Sequence, residues 1–495
     1  MRQGPLAGRY PAAAATVMFA LIPYLALSAA IGPVTPIIGR DLHMSAQAMS
    51  LGAGMANAAY AIGTVIAVQF AQLLRQRRIM LVYVTLLVIG SVLAAAAQNP
   101  AMFIVGHVLQ GLCTSLLLIA AVPPLALGFG VEKFRSTAVI MSMCIFGAVT
   151  VGPAIGGIQA EADAWRPLFW VVAAISAAAF VLAVLTFEDT PPADSSAPRS
   201  PLSIGLAAAG SIAAFYGASE LLTHKFLEVR TLGLLAGGLA LIVALIVHQY
   251  RAERPLLTVR PMLTSTIPVA GIVLALCAAA ASISATALTA HLLAARYGPL
   301  HVGLLYLPEL AGAVLTAVLL GVVIDKRALQ YLPLAGMGFL AAGIAVFRIQ
   351  LPPTQALTLI GSGLTGIGLG ATVAPALFAA GFSLPAATLQ RVFAIVELLR
   401  AVAAFMIAPV FAHFAVTVGG DVRTGTSIAL WIGLGLAIAG AVVPVLIYVL
   451  GGARPETPQL ERFLHGDGPA WHSPTLLAGR KRATRLRPAE ASVQS

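Results

Sequence analysis

The sequence predicts an all-α integral membrane protein that crosses the bilayer fourteen times. Three observations carry that reading. The 495 residues are 59% hydrophobic and only 9% charged, against roughly 25% charged residues in an ordinary soluble domain. Apolar runs of spanning length follow one another along the chain, and a hydrocarbon core of ~30 Å takes ~20 apolar residues per helix. Third, with the N-terminus placed in the cytoplasm, 21 of the 29 lysines and arginines fall inside, 7 fall outside and Arg400 alone lies within a span. That is the positive-inside bias, and it puts both termini in the cytoplasm.

Taken in order, the apolar runs cover 14–39, 46–70, 79–98, 101–128, 137–158, 166–187, 202–222, 231–249, 266–293, 302–324, 332–349, 355–381, 391–416 and 427–450. Arg2 and Arg9 precede the first run without a small-residue cleavage site, so that run is read as a retained helix. Glu188 to Pro201 is polar and proline-rich and cannot cross a bilayer, so it closes the first six spans as a linker. Two spans follow, then a second proline-punctuated connector, Tyr250 to Pro261, and six more spans. The domains expected are 1–190, a six-helix bundle; 191–260, the linker with two additional helices; 261–452, a second six-helix bundle; and 453–495, a cytoplasmic tail. That tail holds Arg480, Lys481, Arg482, Arg485 and Arg487 close together and is read as disordered. Attraction to anionic lipid would contribute ~1 kcal/mol per basic residue near the surface.

A net charge of +11 invites a nucleic-acid reading, but the basic residues sit between apolar runs rather than on one soluble face. No nucleic-acid partner is expected. Cys113, Cys144 and Cys277 each fall inside an apolar run, far apart and without a His-spaced partner, which leaves neither a disulfide nor a metal site. Gly361-Ser-Gly-Leu-Thr-Gly366 matches a dinucleotide fingerprint in letters only, because it lies in an apolar span with no βαβ unit around it. With Gly368 and Gly370 it reads as a close-packing helix face. No phosphate-binding loop and no catalytic cluster can be assembled, so no cofactor and no enzymatic activity are expected.

The fifth span contains Gly147-Ala-Val-Thr-Val-Gly152-Pro153-Ala-Ile-Gly156-Gly157. Proline and glycine cost about 3 and about 1 kcal/mol in a soluble helix, whereas in a bilayer neighbouring helices re-satisfy the backbone and glycines allow close approach. This core resembles the fifth-helix antiporter motif of drug:proton exporters in the major facilitator superfamily. Further stretches are similar to the fourteen-helix branch of that family: Pro36 to Ser45 at the end of the first span, Trp165-Arg166 before the sixth, Glu253-Arg-Pro-Leu-Leu257 in the second connector, and Gly303 with Pro308 in the tenth span. The resemblance covers residues ~14 to ~450. It implies two six-helix bundles plus two helices, export of small, largely apolar compounds in exchange for protons, the proton gradient as energy source, a plasma-membrane location, and a monomer that suffices for function. Its rivals are a facilitator or symporter of the same fold and, remotely, a sensor or enzyme built on it.

The departures are informative. The family's loop after the second span carries an acid and a basic cluster; here Gln69 to Arg78 keeps Arg75, Arg77 and Arg78 but no acid. The pseudo-equivalent loop of the second half, Gly321-Val-Val-Ile-Asp325-Lys326-Arg327, keeps Gly-x-x-x-Asp, which supports duplicated halves. Arg75, Arg77, Arg78, Asp325 and Lys326 are therefore the candidates for a cytoplasmic gate. The family's fourth-helix arginine is replaced by His107, three residues before Gln110, and a histidine titrates near neutral pH as an arginine does not. The first-helix acid is replaced by Leu27.

An ionisable residue inside a span needs a reason. Glu309 follows Pro308 in the tenth span, Glu397 lies in the thirteenth, and Arg400 is three residues on, on the same helical face. Desolvation favours the neutral form of Glu309, whereas Arg400 favours the ionised form of Glu397. Glu309 is thus the first candidate for proton coupling, with Glu397, Arg400 and His107 as further coupling or substrate candidates. Glu220 reads mainly as a helix-end charge.

Overall fold

The computed structural model describes residues 4–187, 192 and 198–476. The first bundle contains α1 (Tyr10–Asp41), α2 (Ala46–Leu73), α3 (Gln76–Ala95), α4 (Pro100–Leu127), a fifth crossing formed by α5 (Gly130–Ser142) and α6 (Ala148–Glu161), and α7 (Arg166–Thr186). Two helices follow, α8 (Pro201–Glu220) and α9 (Val229–Arg251). After the short α10 (Val259–Thr264), the second bundle contains α11 (Thr266–Ala294), a tenth crossing formed by α12 (Pro299–Leu305) and α13 (Leu307–Val323), α14 (Leu332–Arg348), α15 (Gln355–Phe382), α16 (Leu389–Thr417) and α17 (Val422–Gly451). Thirteen helical stretches are long and apolar enough to cross a membrane, and the 17-residue α14 is a shorter apolar helix. Because ~17 residues is the lower limit for a span, the fourteen expected crossings are all present among the described residues.

The two bundles meet along two seams. One sets α2 and α4 against α16, the other sets α5 and α6 against α12 and α13. The additional helix α8 packs on α2 and α16, so the extra pair covers the first seam from the side. Two buried glutamines tie this pair in. Gln69 accepts from Ser200 N (2.8 Å), and Gln249 donates to Ser203 Oγ (2.7 Å) while accepting from Leu257 N (2.9 Å).

Close approach explains the glycines. A Cβ on Gly152 would lie 2.6 Å from Ala26 O, and one on Gly156 would lie 2.2 Å from Ala30 O, so both glycines let α6 touch the α1 backbone. Gly157 faces Leu300 and Gly303 faces Pro153, so the same stretch also meets α12 of the other bundle. Just before it, Met143–Gly147 forms a π-helical turn in which Ala148 N donates to Met143 O. Such bulges mark places where a helix is locally rearranged. The Gly361–Gly370 stretch packs on two neighbours, Gly363, Gly366 and Gly370 against α13 and Gly361 and Gly368 against α14.

The tail departs from expectation. Disorder from residue 453 does not describe residues 453–476, which contain α18 (Leu460–Leu464) and fold back on the second bundle. Leu460, Phe463, Ala470 and Trp471 are buried. A short stretch with that many apolar side chains can bury enough surface to order itself, which a purely polar tail cannot. The basic cluster Arg480 to Arg487 and most of the Glu188 to Pro201 linker lie outside the described residues.

Candidate functional site

A cavity of about 860 Å³ lies between the bundles. Its walls come from α1, the fifth crossing, α11 and the tenth crossing, and its lining is mainly apolar and aromatic. At one end the lining residues Gly32, Pro36, His291, Ala294 and Pro299 are exposed; deeper in, Tyr60, Phe146, Val373 and Arg400 are buried. The exposed end is the one that the distribution of basic residues assigns to the outside. The cavity is therefore open outward and closed toward the cytoplasm.

Glu309 lines the cavity. Pro308 lacks an N–H and its ring crowds the carbonyl four residues earlier, and the tenth crossing accordingly breaks at Tyr306 and restarts as α13. Glu309 falls in the first turn of the restarted helix, its N–H donating to Tyr306 O (3.0 Å). An acid is favoured at that position by the helix dipole. No basic side chain among the described residues forms an ion pair with it.

Glu397 and Arg400 form the ion pair that their spacing suggests, with Arg400 Nη2 donating to Glu397 Oε2 at 2.7 Å and Nε bridging both oxygens at 3.1 and 3.0 Å. Glu397 is 2% and Arg400 8% exposed. A third partner comes from the other bundle. Tyr60 on α2 donates its hydroxyl to Glu397 Oε2 at 3.2 Å, and its ring meets Phe405 edge-on. Tyr60 and Arg400 line the cavity floor, with Glu397 behind them. No local sequence signal marks Tyr60, because its partner is 337 residues away.

His107 is elsewhere. It is 4% exposed, stacks on Phe103, approaches Tyr24 and Phe169, and lies 3.3 Å from the side-chain oxygen of Gln110, which in turn donates to Ser91 Oγ (3.0 Å). It does not line the cavity. The structure gives it a packing position within the first bundle.

The cytoplasmic side is closed by contacts across both seams. Arg135 of α5 pairs with Asp325 at the end of the tenth crossing. Pro123 and Pro124 of α4 lack the N–H groups that would bond to the carbonyls of Ile119 and Ala120. Those two carbonyls take side chains instead: Gln390 of α16 donates to Ile119 O (3.0 Å) and Gln76 to Ala120 O (2.6 Å). Phe134 of α5 packs on Phe378 and Phe382 of α15. Of the other gate candidates, Arg77 donates to Val184 O within its own bundle (3.0 Å), Arg75 lies at the cap of α3, and Arg78 and Lys326 are exposed. On the outer side, Trp165 Nε1 donates to Asp41 (3.1 Å) and Arg40 reaches Asp163 (3.0 Å), so the two outer motifs of the first half are one joint.

Two helical bundles around a central cavity open to one side define a polytopic membrane protein with the architecture of a transporter. The model of the Major Facilitator Superfamily matches residues 17–300, and the chain belongs to that superfamily. It is 28% identical over 306 residues to the "Multidrug resistance protein B homolog" of Mycobacterium tuberculosis (strain ATCC 25618 / H37Rv), covering 60% of this chain and 56% of that relative. The chain thus spans little more than half of that relative's length. It is 25% identical over 363 residues to the "Drug efflux pump JefA" of the same organism, covering 69% of this chain and 68% of the relative. Among solved structures, a POT family transporter in complex with a thioalcohol-conjugated peptide aligns with a TM-score of 0.64 at 14% identity, over 90% of this chain and 96% of that one. That is a likeness of fold.

Proposed function

We propose that the protein is a plasma-membrane exporter that exchanges small, largely apolar compounds for protons by alternating access of the cavity. The observation that carries this is Glu309, an acid without an ionic partner among the described residues, facing a mainly apolar cavity that is open at one end only. A compound with apolar surface gains from leaving water for such a lining. A carboxyl there can exchange a proton with water from the side to which the cavity is open, and the efflux pumps among the relatives support the outward direction.

Glu397, Arg400 and Tyr60 have a different part. Their bonds join α16 to α2 across a seam that must rearrange when the bundles rock. A hydrogen bond to a charged group contributes about 1.5–3 kcal/mol, so protonating Glu397 loosens the seam while leaving Arg400 to be solvated. Glu309 is the carrier and the Glu397 group the cross-bundle tie. The rival facilitator or symporter reading has one observation in its favour: among the described residues no acid lines the cavity from the first bundle, where the buried Leu27 stands in place of an acid on α1. Transport in sealed vesicles under an imposed pH gradient separates the two readings. Accumulation that collapses with a protonophore supports exchange, and uptake indifferent to the gradient supports the facilitator.

A further inference from the structure

The C-terminal segment is attached to one bundle and touches the other. Among the described residues, the hydrogen bonds it makes to the core go to the second bundle. Ala470 N donates to Phe382 O at the end of α15 (2.8 Å), Thr266 N donates to Pro474 O (3.0 Å), Ile267 N donates to Ser473 Oγ (3.0 Å), and Leu476 N donates to Thr264 O (2.8 Å). The segment therefore caps α11, whose first N–H groups have no partners inside their own helix. Gln459 N donates to Ala470 O (2.8 Å), closing residues 459–470 into a compact loop around α18.

The contact with the first bundle is apolar. Phe463 and Trp471 pack edge-on against Phe382, with ring centroids 5.3 and 5.6 Å away, and Phe382 meets Phe134 of α5 at 5.5 Å. α18 also packs directly on α5. All four rings are buried, Phe463 completely. This aromatic chain lies on the cytoplasmic side of the α5–α15 contact that closes the cavity from below.

We infer that residues 454–476 are a brace that travels with the second bundle and holds the transporter in its outward-open state. Opening toward the cytoplasm requires α5 to part from α15. With the brace fixed to α11 and α15, parting would expose Phe134, Phe463 and part of Phe382 to water, a penalty that falls on the inward-open state alone. Without the brace, the same movement exposes less. The inference goes beyond the proposed function and rests on it only for the existence of a second state.

The test places a single cysteine in the cavity, Ser28→Cys, in the full chain with the three native cysteines replaced by serine. A membrane-impermeant maleimide is applied from outside or from inside to oriented vesicles. Labelling from both sides in this background reports alternating access itself, whatever the brace does. Phe463→Ala and Trp471→Ala are expected to lower the outside-to-inside labelling ratio at least threefold. Phe134→Ala should do the same, and Phe134→Ala with Phe463→Ala should change the ratio by less than the product of the two. Gly237→Ala, in α9 with open space around its Cβ position, should leave the ratio unchanged. An unchanged ratio in both Phe463→Ala and Trp471→Ala, in protein that remains monodisperse, overturns the brace, as does a ratio shifted equally by Gly237→Ala.

Discussion

Gly156→Leu tests whether the fifth-span motif is a contact surface. A Cβ at this position would lie 2.2 Å from Ala30 O and 2.9 Å from its carbonyl carbon, whereas ordinary contacts begin near 3.4 Å. Even alanine therefore requires α6 and α1 to part by about 1 Å, and both are backbones that cannot rotate out of the way. Overpacking on that scale costs about 1–3 kcal/mol, and leucine adds three more carbons to the same gap. A shift of 1.4 kcal/mol is about tenfold in any equilibrium the contact supports. Ala29, beside Gly152, and Pro153 both line the cavity, so the displacement reaches the substrate wall. The assay compares thermal stability of purified protein and transport in vesicles for Gly156→Ala, Gly156→Leu and the control Gly237→Ala. Gly237 lies in α9 with open space around its Cβ position, where alanine should be neutral or stabilising by up to ~1 kcal/mol. The expected order is stability and transport falling from Gly237→Ala to Gly156→Ala to Gly156→Leu. Wild-type stability and transport in Gly156→Leu would refute the close approach and reduce the motif to generic small residues.

Three further outcomes follow from particular side chains, and a fourth from the topology. His107→Leu should keep gradient-coupled transport, because the ring is packed among aromatic side chains away from the cavity; it should cost about 1–3 kcal/mol of stability, since the buried side-chain oxygen of Gln110 then loses its contact while Nε2 keeps its bond to Ser91, and loss of coupling with intact folding would restore His107 to the proton path. Gln390→Leu leaves Ile119 O without the partner that Pro123 denies it, which should weaken the cytoplasmic closure by about 1 kcal/mol and raise labelling of a cavity cysteine from the inside. Asp325→Asn should act in the same direction but by no more than ~1 kcal/mol, because Arg135 is largely exposed and such pairs contribute little. A reporter at Arg296 should read outside and one at Gly4 inside; the same side for both sinks the topology.

What can be read from the sequence follows sequence distance. The spans are legible because a bilayer imposes length and composition on each one separately. The Glu397–Arg400 pair is legible because three residues make nearly one helical turn, and the position of Glu309 because Pro308 precedes it. Tyr60, by contrast, is one tyrosine among ten, and only the approach of α2 to α16 gives it a role. The same is true of Arg135 and Asp325, 190 residues apart: the second-half loop is a visible candidate, but nothing in its sequence points to α5 rather than to the first-half basic cluster. His107 is chemically suggestive as a histidine within a span and proves to be surrounded by rings. The tail reads as disordered because it is polar and proline-containing with a basic cluster near its end, while Leu460, Phe463 and Trp471 are too widely spaced to register as an apolar run. Pro123-Pro124 carries a signal of its own. Two adjacent prolines in a span must orphan two carbonyls, and asking what satisfies them leads to Gln390 and Gln76.

The most direct measurement of the central claim is accumulation of a fluorescent lipophilic cation in proteoliposomes, with orientation known and a pH gradient imposed, for wild type and Glu309→Gln. Glutamine reproduces the shape of the protonated acid and cannot release a proton. Proton exchange through Glu309 predicts gradient-driven accumulation by the wild type that a protonophore abolishes, and none by Glu309→Gln even though the variant still binds the dye. Accumulation by Glu309→Gln that still follows the gradient would contradict the assignment of the carrier, and wild-type transport indifferent to the gradient would contradict proton exchange altogether.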